Sequence, residues 1–232
     1  MKIDVVKARR LYLDVAQQLE TLIVGGKINA GERLPSERDL ASRFGVSRPT
    51  IREAMIALEI AGLIEIRTGS GIYVLQRKTT QKLGVRDDGP GPFDILEARC
   101  FIESEAVALA ASRINDEQLL ALEQVLQTME SEDAESSVSE QADQAFHCII
   151  AEASENSALS SMVSWLWDLR NEGELSALFH QRVRDKGIHP SVDEHRQIFN
   201  AIKARDPVAA KEAMHDHLIR AVHINEALLD QK

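Results

Sequence analysis

The chain is poor in cysteine and has no apolar run long enough to cross a bilayer. Two cysteines, Cys100 and Cys148, occur among 232 residues. Both stand in apolar stretches with helical spacing, so they read as small buried hydrophobes of a reducing compartment, not as a disulfide. Nowhere do about 18 apolar residues follow one another, which argues against a membrane helix. Met1 to Arg10 lacks the apolar core of a secretory signal, so a cytoplasmic protein is expected. No internal repeat is visible. Net positive charge is missing as well: the formal charge is −10, at first sight the wrong sign for a nucleic-acid partner.

The charge is unevenly spread. Residues 1–75 carry 11 Lys and Arg against 9 Asp and Glu, and residues 76–232 carry 16 against 28. The acidic excess therefore belongs to the second part, and such asymmetry suggests two parts with different partners. Domains of about 100–200 residues leave room for one or two here. Asp87-Asp88-Gly89-Pro90-Gly91-Pro92 is the clearest linker signal. The expected division is 1–75, a linker over 76–92, and 93–232.

In the first part, helical periodicity runs from Arg10 to about Val24, with Leu11, Val15, Leu19, Leu22 and Ile23 on one face. Ser36 is a candidate N-cap for a short second helix that stops near Phe44-Gly45. Ser47 caps a third, with Pro49 in its first turn and Gly62 just past its end. Leu63 to Arg67 and Ile72 to Leu75 alternate as two strands around Thr68-Gly69-Ser70-Gly71. Three helices followed by a hairpin is the winged helix-turn-helix order. From Phe93 onward nothing reads as strand. Helices are expected near 93–113, 115–131, 138–154, 157–172, 190–204 and 207–229, with a polar loop over 131–139 and Asp206-Pro207 as a helix start. The fold class is mainly α: an N-terminal winged helix-turn-helix and a C-terminal antiparallel all-α bundle.

A recognition helix presents donors near its N-terminus to base edges in the major groove. Arg48 and Arg52 are four apart and share a helical face, while Ile51, Met55 and Leu58 point inward. Arginine reads guanine bidentately. Ser47, Thr50 and the backbone N–H groups at the helix start suit phosphates. Arg38 on the second helix is a further contact, and Gly69 lets the wing tip approach DNA closely.

The second part places polar residues on faces that should build a core. Asp143 and His147 are four apart, with Phe146 and Ile150 on the same side. His195 leads Ile198, Phe199 and Ile202. His217 follows Ala213 and Met214. Leaving such groups buried and unpaired costs about 1–3 kcal/mol each, so a shared partner is expected. Three imidazoles and a carboxylate suit a divalent transition ion; a cluster of structural hydrogen bonds is the alternative. His180, His189, His215 and His223 lack the pattern and read as surface residues.

Two stretches carry a family resemblance. Leu34-Pro35-Ser36-Glu37-Arg38-Asp39-Leu40-Ala41, Gly45 to Ala54 and Leu58 to Ile64 closely resemble the GntR family of bacterial regulators. That resemblance implies that Arg38, Arg48 and Arg52 contact bases or phosphates. It also implies a homodimer on a short palindromic double-stranded operator. Asp143-x-x-x-His147 with Ile150-Ala151-Glu152-Ala153-Ser154-x-Asn156, then Glu194-His195-x-x-Ile198 and Met214-x-x-His217-Leu218, resembles the FCD ligand-binding domain of FadR-type members. In the metal-containing members this Asp and these three His bind the ion: zinc in the first instance here, with nickel or manganese as alternatives. Arg99 matches a position that pairs with an anionic effector, and Arg170 is a second candidate of that kind. Gly91 to Arg99 and Gly69 to Val74 look most like regulators of hexuronate and related sugar-acid catabolism.

The expectation is a repressor released by a small carboxylate, not an enzyme. The alternatives are a metal-dependent hydrolase or isomerase, a regulator that senses the metal itself, and a regulator of lactate or gluconate.

Overall fold

The computed structural model describes residues 10–67, 69–76, 89–135 and 140–227, with side chains at all of these except 132–135, 140 and 224–227. Thr68, most of the expected linker and the end of the expected loop over 131–139 lie outside the described residues. The chain divides into two compact units. The first takes in Met1–Phe93, Gly173–Phe179 and Asn225–Lys232, and the second Asp94–Glu172 and His180–Ile224.

In the first unit, helix α1 spans Leu11–Val24, α2 Glu37–Phe44 and α3 Arg48–Ile60. The last two begin where their caps stand. Ser36 Oγ accepts from the Asp39 N–H at 3.2 Å and Ser47 Oγ from the Thr50 N–H at 3.3 Å, each satisfying a donor that the first turn leaves open. Helix α1 packs on α3. Its inner face is rotated from the expected stripe: Tyr12, Val15, Ala16 and Leu19 are buried, while Leu11 is 61% exposed. The larger Tyr12 ring takes the inward place. Ile51, Met55 and Leu58 of α3 are fully buried, each contributing about 1.5–3 kcal/mol.

Strands β1 (Ile64–Arg67) and β2 (Gly71–Val74) pair antiparallel, with Ile64 opposite Val74 and Ile66 opposite Ile72. All four face inward, as the period of two requires. Leu34 N–H donates to the Ile72 carbonyl at 2.9 Å and ties the stretch before α2 to this wing. Gly69 turns the hairpin at φ 72°, a left-handed conformation that glycine adopts without strain. The end of the expected linker is packed. A Cβ on Gly91 would meet the Glu53 carboxylate on α3, so a larger residue there requires the Glu53 side chain to move. The Phe93 ring lies 5.6 Å from that of Phe179.

Among the described residues seven helices follow: α4 (Pro92–Arg113), α5 (Asp116–Glu135), α6 (Glu140–Ala153), α7 (Ser157–Glu172), α8 (Glu174–Asp185), α9 (Val192–Lys203) and α10 (Pro207–Ala227). Phe146, Ile150, Ile198, Ile202, Met214 and Leu218 are central to the core of the second unit. Asn156 Oδ1 accepts from the N–H groups of Ala158 and Leu159. Asp206 Oδ1 does the same for Val208 and Ala209. Helix α8 is the element the sequence reading missed. Its signal is a spacing of four: Leu175, Phe179 and Val183 are buried on one face. Cys100 is buried, Cys148 half-buried, and both are free thiols. Burial raises the pKa of each above its usual value.

Candidate metal centre and nucleic-acid interface

Helices α6, α9 and α10 bring Asp143, His147, His195 and His217 together. All four are buried, and one ligand atom from each lies within 4.8 Å of the others. His195 Nε2 stands 2.9 Å and His147 Nε2 3.5 Å from Asp143 Oδ1. The other nitrogen of every ring has an oxygen near it, as a hydrogen bond for His195 and His217 and as a close charged contact for His147. His195 Nδ1 is 2.8 Å from the Ser191 carbonyl, His217 Nδ1 is 3.0 Å from Glu194 Oε2, and His147 Nδ1 is 2.5 Å from Glu103 Oε2. An oxygen at Nδ1 holds the ring in the tautomer that leaves Nε2 as an electron-pair donor, the outer arrangement typical of metal-binding imidazoles. His147 Nε2 is buried with no hydrogen-bond partner. Ligand atoms about 2.1 Å from one ion are at most roughly 4.2 Å apart, so a small contraction closes the set. Three nitrogens and one carboxylate oxygen therefore fit a first-row divalent ion.

The carboxylates and imidazoles of the cluster shift one another's protonation. Burial works against the Asp143 carboxylate, yet the nearby His147 and His195 imidazoles outweigh that and hold its pKa well below the usual range. Burial likewise opposes the Glu103 carboxylate, and Arg99 and His147 together bring its pKa down to about 2. Burial pushes His217 down to about 4. For His147 burial lowers the pKa, but Glu103 and Asp143 overcome it and the net direction is up.

The two arginines expected for the effector are buried beside this cluster. Arg99 Nε donates to Glu103 Oε1 at 2.6 Å, and its guanidinium lies 4.0 Å from the centre of the Trp167 ring. Arg170 lies 4.8 Å from the same ring and donates to Asn171 Oδ1 at 3.0 Å. Glu103 thus touches both Arg99 and His147. Sequence reasoning missed it, although it stands one helical turn after Arg99. It also missed the roles of Glu194 and Trp167, which come from contacts between helices, and of Ser191, whose carbonyl faces His195 one turn along α9. His180 corrects the expectation of a surface residue: it is 6% exposed. Its pKa lies well below the usual histidine value, first through burial and then through Arg170 and Arg99. His215 and His223 are exposed and His189 is half-buried.

In the first unit, Arg38, Ser47, Arg48 and Gly69 are exposed and Thr50 is half-buried. Ser47 Oγ and Thr50 Oγ1 are 2.8 Å apart. Arg52 corrects the expectation of a shared arginine face: it is 2% exposed. Four residues along, the helix has turned about 40° further than one full turn, enough to carry Arg52 under α2. There its Nε donates to Glu37 Oε2 at 3.0 Å, and its guanidinium lies 5.8 Å from the Phe93 ring centre. Glu37 also lies 3.9 Å from Arg48 Nη2, with Arg48 half exposed at 53%. The wing adds Arg67, stacked 4.6 Å over Tyr73 and also 53% exposed.

A capped helix with exposed arginine, a hairpin wing and a buried polar site in an all-helical unit define a ligand-responsive DNA-binding regulator. Comparison with known proteins agrees. Residues 11–74 match the model of bacterial regulatory proteins of the gntR family, and residues 94–220 match the FCD domain. The chain is 38% identical over 218 residues to the "Uxu operon transcriptional regulator" of Escherichia coli K12, covering 91% of this chain and 85% of the relative. It is 32% identical over 219 residues to the "Exu regulon transcriptional regulator" of the same organism, covering 93% and 84%. It is 34% identical over 227 residues to that organism's "Putative L-lactate dehydrogenase operon regulatory protein", covering 92% and 86%. The chain belongs to the gntR family of transcriptional regulators and carries an FCD domain. This is a family of regulators, not enzymes. Among the described residues no helix is long and apolar enough to cross a membrane.

Proposed function

We propose that the protein is a cytoplasmic repressor of a hexuronate-type sugar-acid operon, released from its operator when a small carboxylate binds beside a metal ion in the helical domain. The convergence of Asp143, His147, His195 and His217, each imidazole steered from its Nδ1 side, carries this reading. Zinc fits the donor set, with nickel and manganese as competitors. When bound, the ion supplies Lewis acidity and an open position for an effector oxygen. Arg99 and Arg170 bind and orient the carboxylate. Glu103 holds Arg99 and the His147 ring in place. The names of the Uxu and Exu relatives support the ligand class, and the lactate-operon relative makes a 2-hydroxy acid the second reading.

On the DNA side, Arg38, Ser47, Arg48, Thr50 and Gly69 form the contact set, and Arg52 serves to hold α3 against α2. The protein works as a homodimer on a palindromic operator, because two-fold proteins read two-fold sites. We retain 1–75 as the DNA-binding domain, 76–92 as linker and 93–232 as the metal and effector domain. Release requires the effector to bind the DNA-free state more tightly than the bound one. The test is an anisotropy titration on a duplex selected by the protein from random DNA, with D-glucuronate, D-galacturonate, D-gluconate or L-lactate present. Loss of operator affinity with a sugar acid is expected. Unchanged affinity with all four overturns the reading.

A further inference from the structure

Trp167 is fully buried on α7, and its indole Nε1–H has no hydrogen-bond acceptor among the described residues. Leaving such a donor unpaired is costly, so buried indoles normally find a partner. The rest of the ring is well used. Ala151 and Val163 pack with it, the Arg99 and Arg170 guanidinium groups lie 4.0 Å and 4.8 Å from its centre, and the His147 ring is 5.5 Å away. The ring is fixed by apolar contact and lies next to two cations and one imidazole of the metal cluster. This neighbourhood suits an anion rich in oxygen.

We propose that the Trp167 indole N–H donates to an oxygen on the carbon next to the effector's carboxylate, so that Trp167 selects oxygenated acids over simple carboxylates. This rests on the carboxylate reading given above. Arg99 and Arg170 are charged donors and take the carboxylate, since ionised pairs are the stronger bonds. The Arg99 guanidinium lies 4.0 Å from the indole centre, so a carboxylate held by Arg99 brings the rest of the ligand up against Trp167. A neutral hydroxyl or carbonyl oxygen fits there. A site built around such a donor rejects the analogue that lacks the acceptor, because the buried N–H is then left unpaired.

The test titrates zinc-loaded full-length protein with D-glucuronate, D-gluconate and 2-deoxy-D-gluconate, in wild type, Arg99→Ala and Trp167→Phe. The phenylalanine keeps a smaller ring for the two guanidinium groups and deletes the donor. Wild type should prefer gluconate over its 2-deoxy analogue by roughly tenfold or more, and Trp167→Phe should erase that preference by weakening gluconate alone. Arg99→Ala should lose all three acids. Loss of binding in Arg99→Ala with Trp167→Phe unchanged overturns the role of Trp167 and leaves the proposed function standing. Failure of every acid to bind wild type overturns both. Should Trp167→Phe not fold, the exposed Trp165 is replaced instead (Trp165→Phe), leaving Trp167 as the sole tryptophan. Its emission should then shift on addition of D-glucuronate, and unaltered emission at saturation overturns the inference.

Discussion

Both units bury an Arg–Glu pair, and the two pairs have different surroundings. In the first unit Arg52 meets Glu37 among helix-packing residues, with Phe93 near the guanidinium. In the second, Arg99 meets Glu103, whose other oxygen reaches His147 of the metal cluster. The same ion pair fastens two helices in one place and, in the other, links the proposed effector-binding cation to an imidazole of the candidate metal site. A buried pair is by itself weak evidence of function. What distinguishes the second is that it lies against the Trp167 indole and the Asp–His cluster, neither of which has a counterpart described beside the first.

The comparison breaks most visibly at Arg52. Arg52→Ala leaves the Glu37 carboxylate buried without its main counter-ion, which costs about 3–5 kcal/mol. The expected result is a clear fall in the melting temperature of the first unit, with part of it recovered in the Arg52→Ala/Glu37→Ala double variant. If Arg52→Ala melts like wild type and fails only in DNA binding, Arg52 belongs with the reading arginines after all. Arg48→Ala, at an exposed position, should do the reverse. Operator affinity falls by about 1–3 kcal/mol, or 5- to 150-fold, while calorimetry and zinc content stay as in wild type.

A smaller effect separates the units by pH. His180 is neutral in the folded second unit because its pKa lies well below 6.5, whereas the unfolded chain takes up a proton as pH drops through that value. Below pH 6.5 the unfolded state then binds more protons, so stability declines on acidification by up to about 1.4 kcal/mol per pH unit from this group. His180→Gln should flatten the acid limb of chemical denaturation by up to one proton. An unchanged limb contradicts the assignment. Arg170, Arg99, Arg184 and Asp143 act on His180 electrostatically and remain in the variant.

Much of the first unit was legible because its signals are local. Ser36 and Ser47 announce their helices, and the alternation of Ile64, Ile66, Ile72 and Val74 announces the wing. The position of Arg52 was not legible. A spacing of four puts two residues on one side of a helix, but only the packing of α2 decides where that side stops facing solvent. In the second unit the four metal-site residues were legible as polar groups on apolar faces. That they meet depends on three helices coming together, and the family resemblance supplied it where periodicity could not. His180 was misread because α8 went unrecognised: without the helix, the burial of Leu175, Phe179 and Val183 had no face to define. Glu103 was within reach, one turn beyond Arg99, but a Glu on a helix is an ordinary solvent-facing residue until its neighbours are known.

The central claim is that a buried Asp–His cluster governs whether exposed arginine stays on DNA. Operator affinity of zinc-loaded wild type and of His195→Ala, each with and without saturating D-glucuronate, tests it most directly. The account predicts at least a tenfold loss of affinity on adding the acid to wild type and none in His195→Ala, with both proteins binding DNA equally in its absence. An equal loss in both proteins, or none in either, contradicts it.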